Sequence, residues 1–223
     1  MSRRIAVCIP ALLFMLSATN SARADVVFTE EFANNTSGWV DNGFQALTFN
    51  ANGGPDGSSY VSTEFDLGTG GSMGTSLFRA HDSFNASGDA FVRNFLADGI
   101  EEFSFSFRHS SPTPVSVFVR FATSNNFPAS VTSFAALPQL AAVPGNNVWN
   151  QISIPIEPSS FVHEAGTFQS NFSSIGNIQI GTGTDSGVVT FGLDKVSLSV
   201  PEPNSMLLAG LALIPVMLRR RSK

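Results

Sequence analysis

One cysteine occurs in 223 residues, Cys8, inside an apolar N-terminal stretch. Beyond that stretch a disulfide framework, thiol catalysis and cysteine-based metal sites are therefore excluded. Basic residues are scarce too. Between Asp25 and Ser199 only Arg79, Arg93, Arg108, Arg120 and Lys195 face sixteen acids, a net charge of −11 where the whole chain shows −5. Such a body repels nucleic acid and anionic lipid, and it favours solubility and divalent cations. Tryptophan and tyrosine number two and one, against twenty-one phenylalanines. No stretch of a dozen residues shows helical period with caps, so helical bundles and βαβ folds lack their raw material.

The basic residues outside the body sit at its two ends. Arg3 and Arg4 precede an apolar run from Ile5 to Ala18, and Ala22-Arg23-Ala24 places small residues where signal peptidase reads. Residues 1–24 read as a secretory signal peptide, with cleavage before Asp25. At the other end Pro201, Glu202 and Pro203 precede an apolar run and the basic cluster Arg219, Arg220, Arg221 and Lys223. The prolines cannot continue a strand, and the cations stay on the cytoplasmic side. Ser205 to Leu218 is fourteen residues, which as a helix reaches about 21 Å against a hydrocarbon core of about 30 Å. This tail seeks a membrane and holds it weakly.

Triplet, short apolar helix and terminal arginine cluster, in that order over residues 200–223, resemble a PEP-CTERM sorting signal. The resemblance implies recognition and removal of the tail by an exosortase, a membrane transpeptidase, after transient membrane association. The protein is then expected at the cell surface, the outer envelope or the extracellular polysaccharide matrix.

Residues 25–199 alternate with period two. Phe103, Phe105 and Phe107 alternate with Ser104, Ser106 and Arg108, and Val115, Val117, Val119 and Phe121 continue the pattern after the connection 110–114, which predicts a hairpin. Further strands are predicted over 26–32, 44–49, 60–67, 76–78, 90–95, 149–156, 175–181 and 188–200. About ten short strands without helices predict an all-β protein, an antiparallel two-sheet β-sandwich. The last strand changes phase: Val189, Phe191 and Leu193 have one parity and Val196, Leu198 and Val200 the other. A bulge or sheet switch is required near Asp194-Lys195. Glu30-Glu31-Phe32 with Ser37-Gly38-Trp39, the stretch 149–156, and Phe191 to Leu198 resemble the first, a late and the final strand of galactose-binding-like, carbohydrate-binding-module jelly rolls. The resemblance implies a jelly roll and a structural calcium near the first and final strands, with Glu30 or Glu31 and Asp194 as candidate ligands, helped by carbonyl oxygens.

Catalytic patterns are few. His81-Asp82 and His163-Glu164 are adjacent pairs without a nucleophile elbow, and adjacent strand residues face opposite ways. They read as solvated loop residues, and His109 as a polar cap on its strand. Glu64 and Asp66 read as surface acids rather than a glycosidase pair, which needs a cleft. A sugar site needs an aromatic plate with polar groups beside it, which singles out Trp39, Tyr60 and Trp149. The expectation is a non-enzymatic structural or adhesive protein of the surface or matrix. A carbohydrate-binding module for exopolysaccharide is the alternative, and a polysaccharide hydrolase the third.

Overall fold

Bulky apolar side chains alternating with serine and threonine favour extended backbone, because each strand can then bury one face. The computed structural model describes residues 25–69, 75–132, 143–183 and 187–200. Eleven strands run over Asp25–Glu30 (β1), Thr48–Asn50 (β2), Tyr60–Asp66 (β3), Thr75–His81 (β4), Glu102–His109 (β5), Val117–Ala122 (β6), Ala129–Thr132 (β7), Asn150–Pro155 (β8), Phe161–His163 (β9), Asn177–Thr182 (β10) and Val188–Val200 (β11). One sheet has the order β2-β3-β11-β5-β8, with β1 also on β11, and the other β4-β10-β6-β7-β9. Every strand pairing among the described residues is antiparallel. The result is an all-β two-sheet sandwich of jelly-roll type.

Phe103, Phe105 and Phe107 of β5 and Val117, Val119 and Phe121 of β6 are all fully buried. Phe103 and Phe121 meet edge to face with ring centroids 5.3 Å apart, so the core is built between sheets largely from phenylalanine. Burial of each such ring contributes about 2–3 kcal/mol before entropy.

The phase change in β11 is a bulge. Asp194 pairs with Ser106 and Ser197 with Ser104, leaving one extra residue on β11. Lys195 absorbs it in the left-handed region at φ 50°. Leu193 and Val196 consequently both face the core.

Four expectations change. β5 and β6 are not a hairpin: β5 pairs with β11 and β8, whereas β6 pairs with β10 and β7. Alternation cannot say which sheet receives a strand, and the connection crosses between the two. Residues 90–95 are not a strand; Phe91 and Phe95 anchor an irregular segment in the core. The predicted strand 44–49 shortens to 48–50, with Phe44 in a turn. A short helix α1, Phe168–Phe172, was unforeseen; Thr167 caps it by accepting the Ser170 amide. The proposed leader 1–24 and the tail from Pro201 lie outside the described residues. Among those residues no helix is long and apolar enough to cross a membrane.

Candidate functional site

The three rings expected in an aromatic plate do not all come together. Trp39 is fully buried between Phe32 and Phe91, edge to face at 5.8 and 5.6 Å. Its indole N–H donates to Ser87 Oγ at 2.8 Å, so it is a core anchor with no face for a sugar. Tyr60 and Trp149 do come together, at 5.4 Å on the outer side of the first sheet. Arg108 sits over both rings, at 4.4 and 4.8 Å, and its guanidinium donates to the Tyr60 hydroxyl and to the Gly53 carbonyl. Trp149 Nε1 donates to the same carbonyl at 2.9 Å. Gly192 lets them in: a Cβ there would stand 3.0 Å from the Arg108 side chain and 3.2 Å from Trp149. Tyr60 is buried and the polar groups bond inward, so the trio clamps the 52–58 turn onto the sheet.

Of the expected calcium ligands, Asp194 is fully buried, Glu31 exposed and Glu30 half-buried. Glu30 Oε1 accepts the Phe32 amide at 2.7 Å. Asp194 accepts the Ser58 hydroxyl and the Lys195 amide, while the Lys195 ammonium pairs with Asp56. Burial pushes the Asp194 carboxyl above its usual range, against those hydrogen bonds and the Lys195 charge, and the Glu31 charge pushes it further. Among the described residues no three Asp, Glu, His or Cys side chains gather as a metal cage. Both Asp194 oxygens already accept a hydrogen bond, and Lys195 supplies a positive charge beside them.

The histidine pairs are more tied down than solvated loops would be. His81 Nδ1 lies 2.7 Å from Asp82 Oδ1. Burial pushes Asp82 up, but hydrogen bonds from Ser124 and Ser83 and the charge of His81 outweigh it and hold the carboxyl below its usual range. Ser130, fully buried, accepts from Asn171 Nδ2 at 2.6 Å and bonds His163 Nδ1 at 2.8 Å. His109 is no cap on a strand end exposed to water. It is fully buried and bonds the Val143 carbonyl through Nε2. Glu64 and Asp66 are exposed, as expected of surface acids.

The site that sequence reasoning missed lies on the outer face of the second sheet. Arg79 of β4 and Arg120 of β6 stand opposite Gln179 of β10, in register on its two sides. Two strand spacings put them about 10 Å apart. Between them is a bed of amides. Gln179 and Asn177 donate to Asn126 Oδ1 at 2.8 and 3.3 Å, and Ser76 donates to Gln179 Oε1. Arg120 donates to the same Asn126 oxygen and to Glu164 at 2.6 and 2.7 Å.

Each arginine covers an exposed phenylalanine. Arg79 lies 4.9 Å over Phe44 and Arg120 lies 5.0 Å over Phe127. Phe44 is 48% and Phe127 56% exposed, and Phe44 stacks on Phe84, 39% exposed, at 5.7 Å. Phe44 is held outward at φ 58° by Asp41, whose carboxylate accepts the Gly43 and Gln45 amides. Arg120 has its charge answered by Glu164, whereas the Arg79 guanidinium bonds the neutral Asn42 side chain, with the charge of Asp41 nearby. Burial, then the charge of Arg120, lower the Arg79 pKa. Arg79 Nε and Asn177 Oδ1 are buried without a partner among the described residues, each at a cost of about 1–3 kcal/mol unless something supplies one.

Sequence carried a signal for these rings. Asp41-Asn42-Gly43-Phe44, Asp82-Ser83-Phe84-Asn85 and Asn125-Asn126-Phe127-Pro128 each set one phenylalanine among turn formers, where no alternating pattern can bury it.

Two comparisons bear on identity. A family model for the PEP-CTERM protein-sorting motif matches residues 199–221. The chain carries a PEP-CTERM sorting motif. It is thereby an exported protein, handled at the membrane by an exosortase. The motif begins inside β11, whose end residues Ser199 and Val200 still pair with Val26 and Asp25. No curated protein sequence matches the chain. Among solved structures, an exo-β-agarase aligns with a TM-score of 0.54 at 10% identity, over 80% of this chain and 25% of that one. A second agarase aligns at 0.51 and 10%, over 81% and 26%. The chain thus spans about a quarter of the length of those enzymes, and the likeness is one of fold. The CBM22-1 xylan-binding domain from Paenibacillus barcinonensis aligns at 0.48 and 14%, over 81% and 97%.

Proposed function

We propose that this PEP-CTERM protein is delivered to the cell surface or extracellular matrix, where its sandwich adheres to polysaccharide without cleaving it. In this reading residues 1–24 leave with signal peptidase and the 200–223 tail with exosortase, and residues 25–199 are the working domain. One observation carries the binding role: Phe44 and Phe127, each about half exposed and each under an arginine, flank a bed of side-chain amides on one face of the second sheet. Aromatic rings suit the apolar faces of pyranose rings, and a hydroxyl can accept from a guanidinium and donate to an amide oxygen. A structural calcium at Asp194 and Glu31, with turn carbonyls, belongs to the same reading; it would neutralise the buried carboxylate. Affinity electrophoresis through immobilised polysaccharides, xylan and agarose among them, tests the binding role. The wild-type body should be retarded, and the Phe127→Ala variant should be retarded clearly less. Free migration of the wild type through every polysaccharide, including that of the producing cell, overturns it.

A further inference from the structure

A second recess opens beside the Phe44–Phe84 stack. It is a cleft of about 370 Å³ whose wall includes Phe84, with Glu30, Asn35, Ser37, Asn85 and Ser87 around it. Its polar groups are fixed from beneath. The buried Trp39 donates to Ser87 Oγ, which leaves the serine hydrogen free to donate outward. The amide of the buried Phe32 occupies Glu30 Oε1 and leaves Oε2. Asn35 Oδ1 accepts the Ser37 amide at 2.6 Å, which leaves the Asn35 NH2 group. The Asn85 side chain makes no capping hydrogen bond. The two cleft loops are joined by the Ser87 amide donating to the Ser37 carbonyl at 2.7 Å.

We infer that this cleft is a second carbohydrate subsite, for an uncharged pyranose unit, so that one domain holds two glycan segments on either side of the Phe44–Phe84 stack. The inference rests on the polysaccharide-binding reading and deepens it. Donors from two amides and a hydroxyl, acceptors from Glu30 and Asn85, and one aromatic wall match a ring with hydroxyl edges and an apolar face. No lysine or arginine lines the cleft to answer a carboxylate, sulfate or phosphate. Glu30 and the acidic body repel a polyanion. Two subsites on one chain would let it bridge polysaccharide strands, a mechanical role suited to a matrix.

Calorimetric titration of the body with neutral hexasaccharides (xylo-, cello- and agaro-series) reads the stoichiometry. Oligogalacturonate serves as the charged control. Gly88 lines the cleft at φ 62°, where a Cβ would meet nothing within 4 Å. Gly88→Asn suits that backbone and fills the mouth without touching the amide bed. The expected result is two equivalents for the wild type, one for Gly88→Asn and one for Phe127→Ala. A single wild-type equivalent that Phe127→Ala abolishes and Gly88→Asn spares overturns the second subsite while leaving the first. Oligogalacturonate lost on Gly88→Asn overturns the choice of a neutral sugar. No binding of any oligosaccharide overturns both.

Discussion

Two clusters of the same ingredients, an arginine over aromatic rings, occupy the outer faces of the two sheets and do different work. On the first sheet Arg108, Tyr60 and Trp149 turn their hydrogen-bonding groups inward, onto one another and onto Gly53. On the second, Arg79 and Arg120 cover phenylalanines that remain about half exposed, beside buried polar atoms without partners among the described residues. The difference teaches that ring identity is a poor guide to a sugar platform. Tyrosine and tryptophan carry a polar handle that the protein can use to tie itself together. Phenylalanine in a turn has no handle, and an exposed one is left to meet something else.

The comparison breaks most visibly if the core anchor proves dispensable. Trp39→Ala should cost about 3–5 kcal/mol, as large core deletions do, read as a fall in the urea midpoint. A loss below 1 kcal/mol would mean that Trp39 is not the anchor its burial implies. Next, Arg108→Ala should destabilise by about 1.5–3 kcal/mol, since it removes a charged hydrogen-bond donor and a cation–π contact, yet leave retardation on polysaccharide unchanged. Phe44→Ala should do the reverse, weakening glycan binding about tenfold with stability altered by less than about 1 kcal/mol. If the two variants behave alike, the faces do not divide stability from binding.

Smaller effects sharpen the electrostatic side. The Asp194 carboxyl has a folded pKa raised above the ordinary 3.8. Between that value and the raised one the folded state binds more protons than the unfolded, so its contribution falls as pH rises through this window and is greatest below it. Asp194→Asn should flatten this part of the stability profile, and an unaltered slope counts against the assignment. Calcium should raise the unfolding midpoint of the wild type at neutral pH by a few degrees, equivalent to about 1 kcal/mol, and not that of Asp194→Asn. If chelator leaves the wild-type midpoint in place, Lys195 alone answers this cluster of charge.

Much of the frame was legible because period-two alternation is a local property. β5 and β11 fall where the pattern puts them, and the parity change in Val189 to Val200 foretold the bulge at Lys195. The β5–β6 hairpin was misread because alternation is the same for a strand that turns back and one that crosses to the other sheet. Phe91 and Phe95 were misread as strand for a related reason: apolar residues bury themselves from irregular backbone too. The candidate site was hidden because its members come from the 41–45 turn, the His81–Asn85 segment, the 123–128 loop and three strands, and no spacing relates them.

By itself the sequence determined the sorting motif, the acidic cysteine-free body and the two-sheet plan. Those features reside in residue order, charge and short-range period, which survive without any long-range contact. Only the tertiary structure decided that Trp39 is buried, that Arg108 is held by its neighbours, and that Arg79, Asn177 and two turn phenylalanines share one face. Pairing across a sheet joins residues about a hundred positions apart in the chain, such as Arg79 and Gln179, and partner choice at that distance depends on the whole fold.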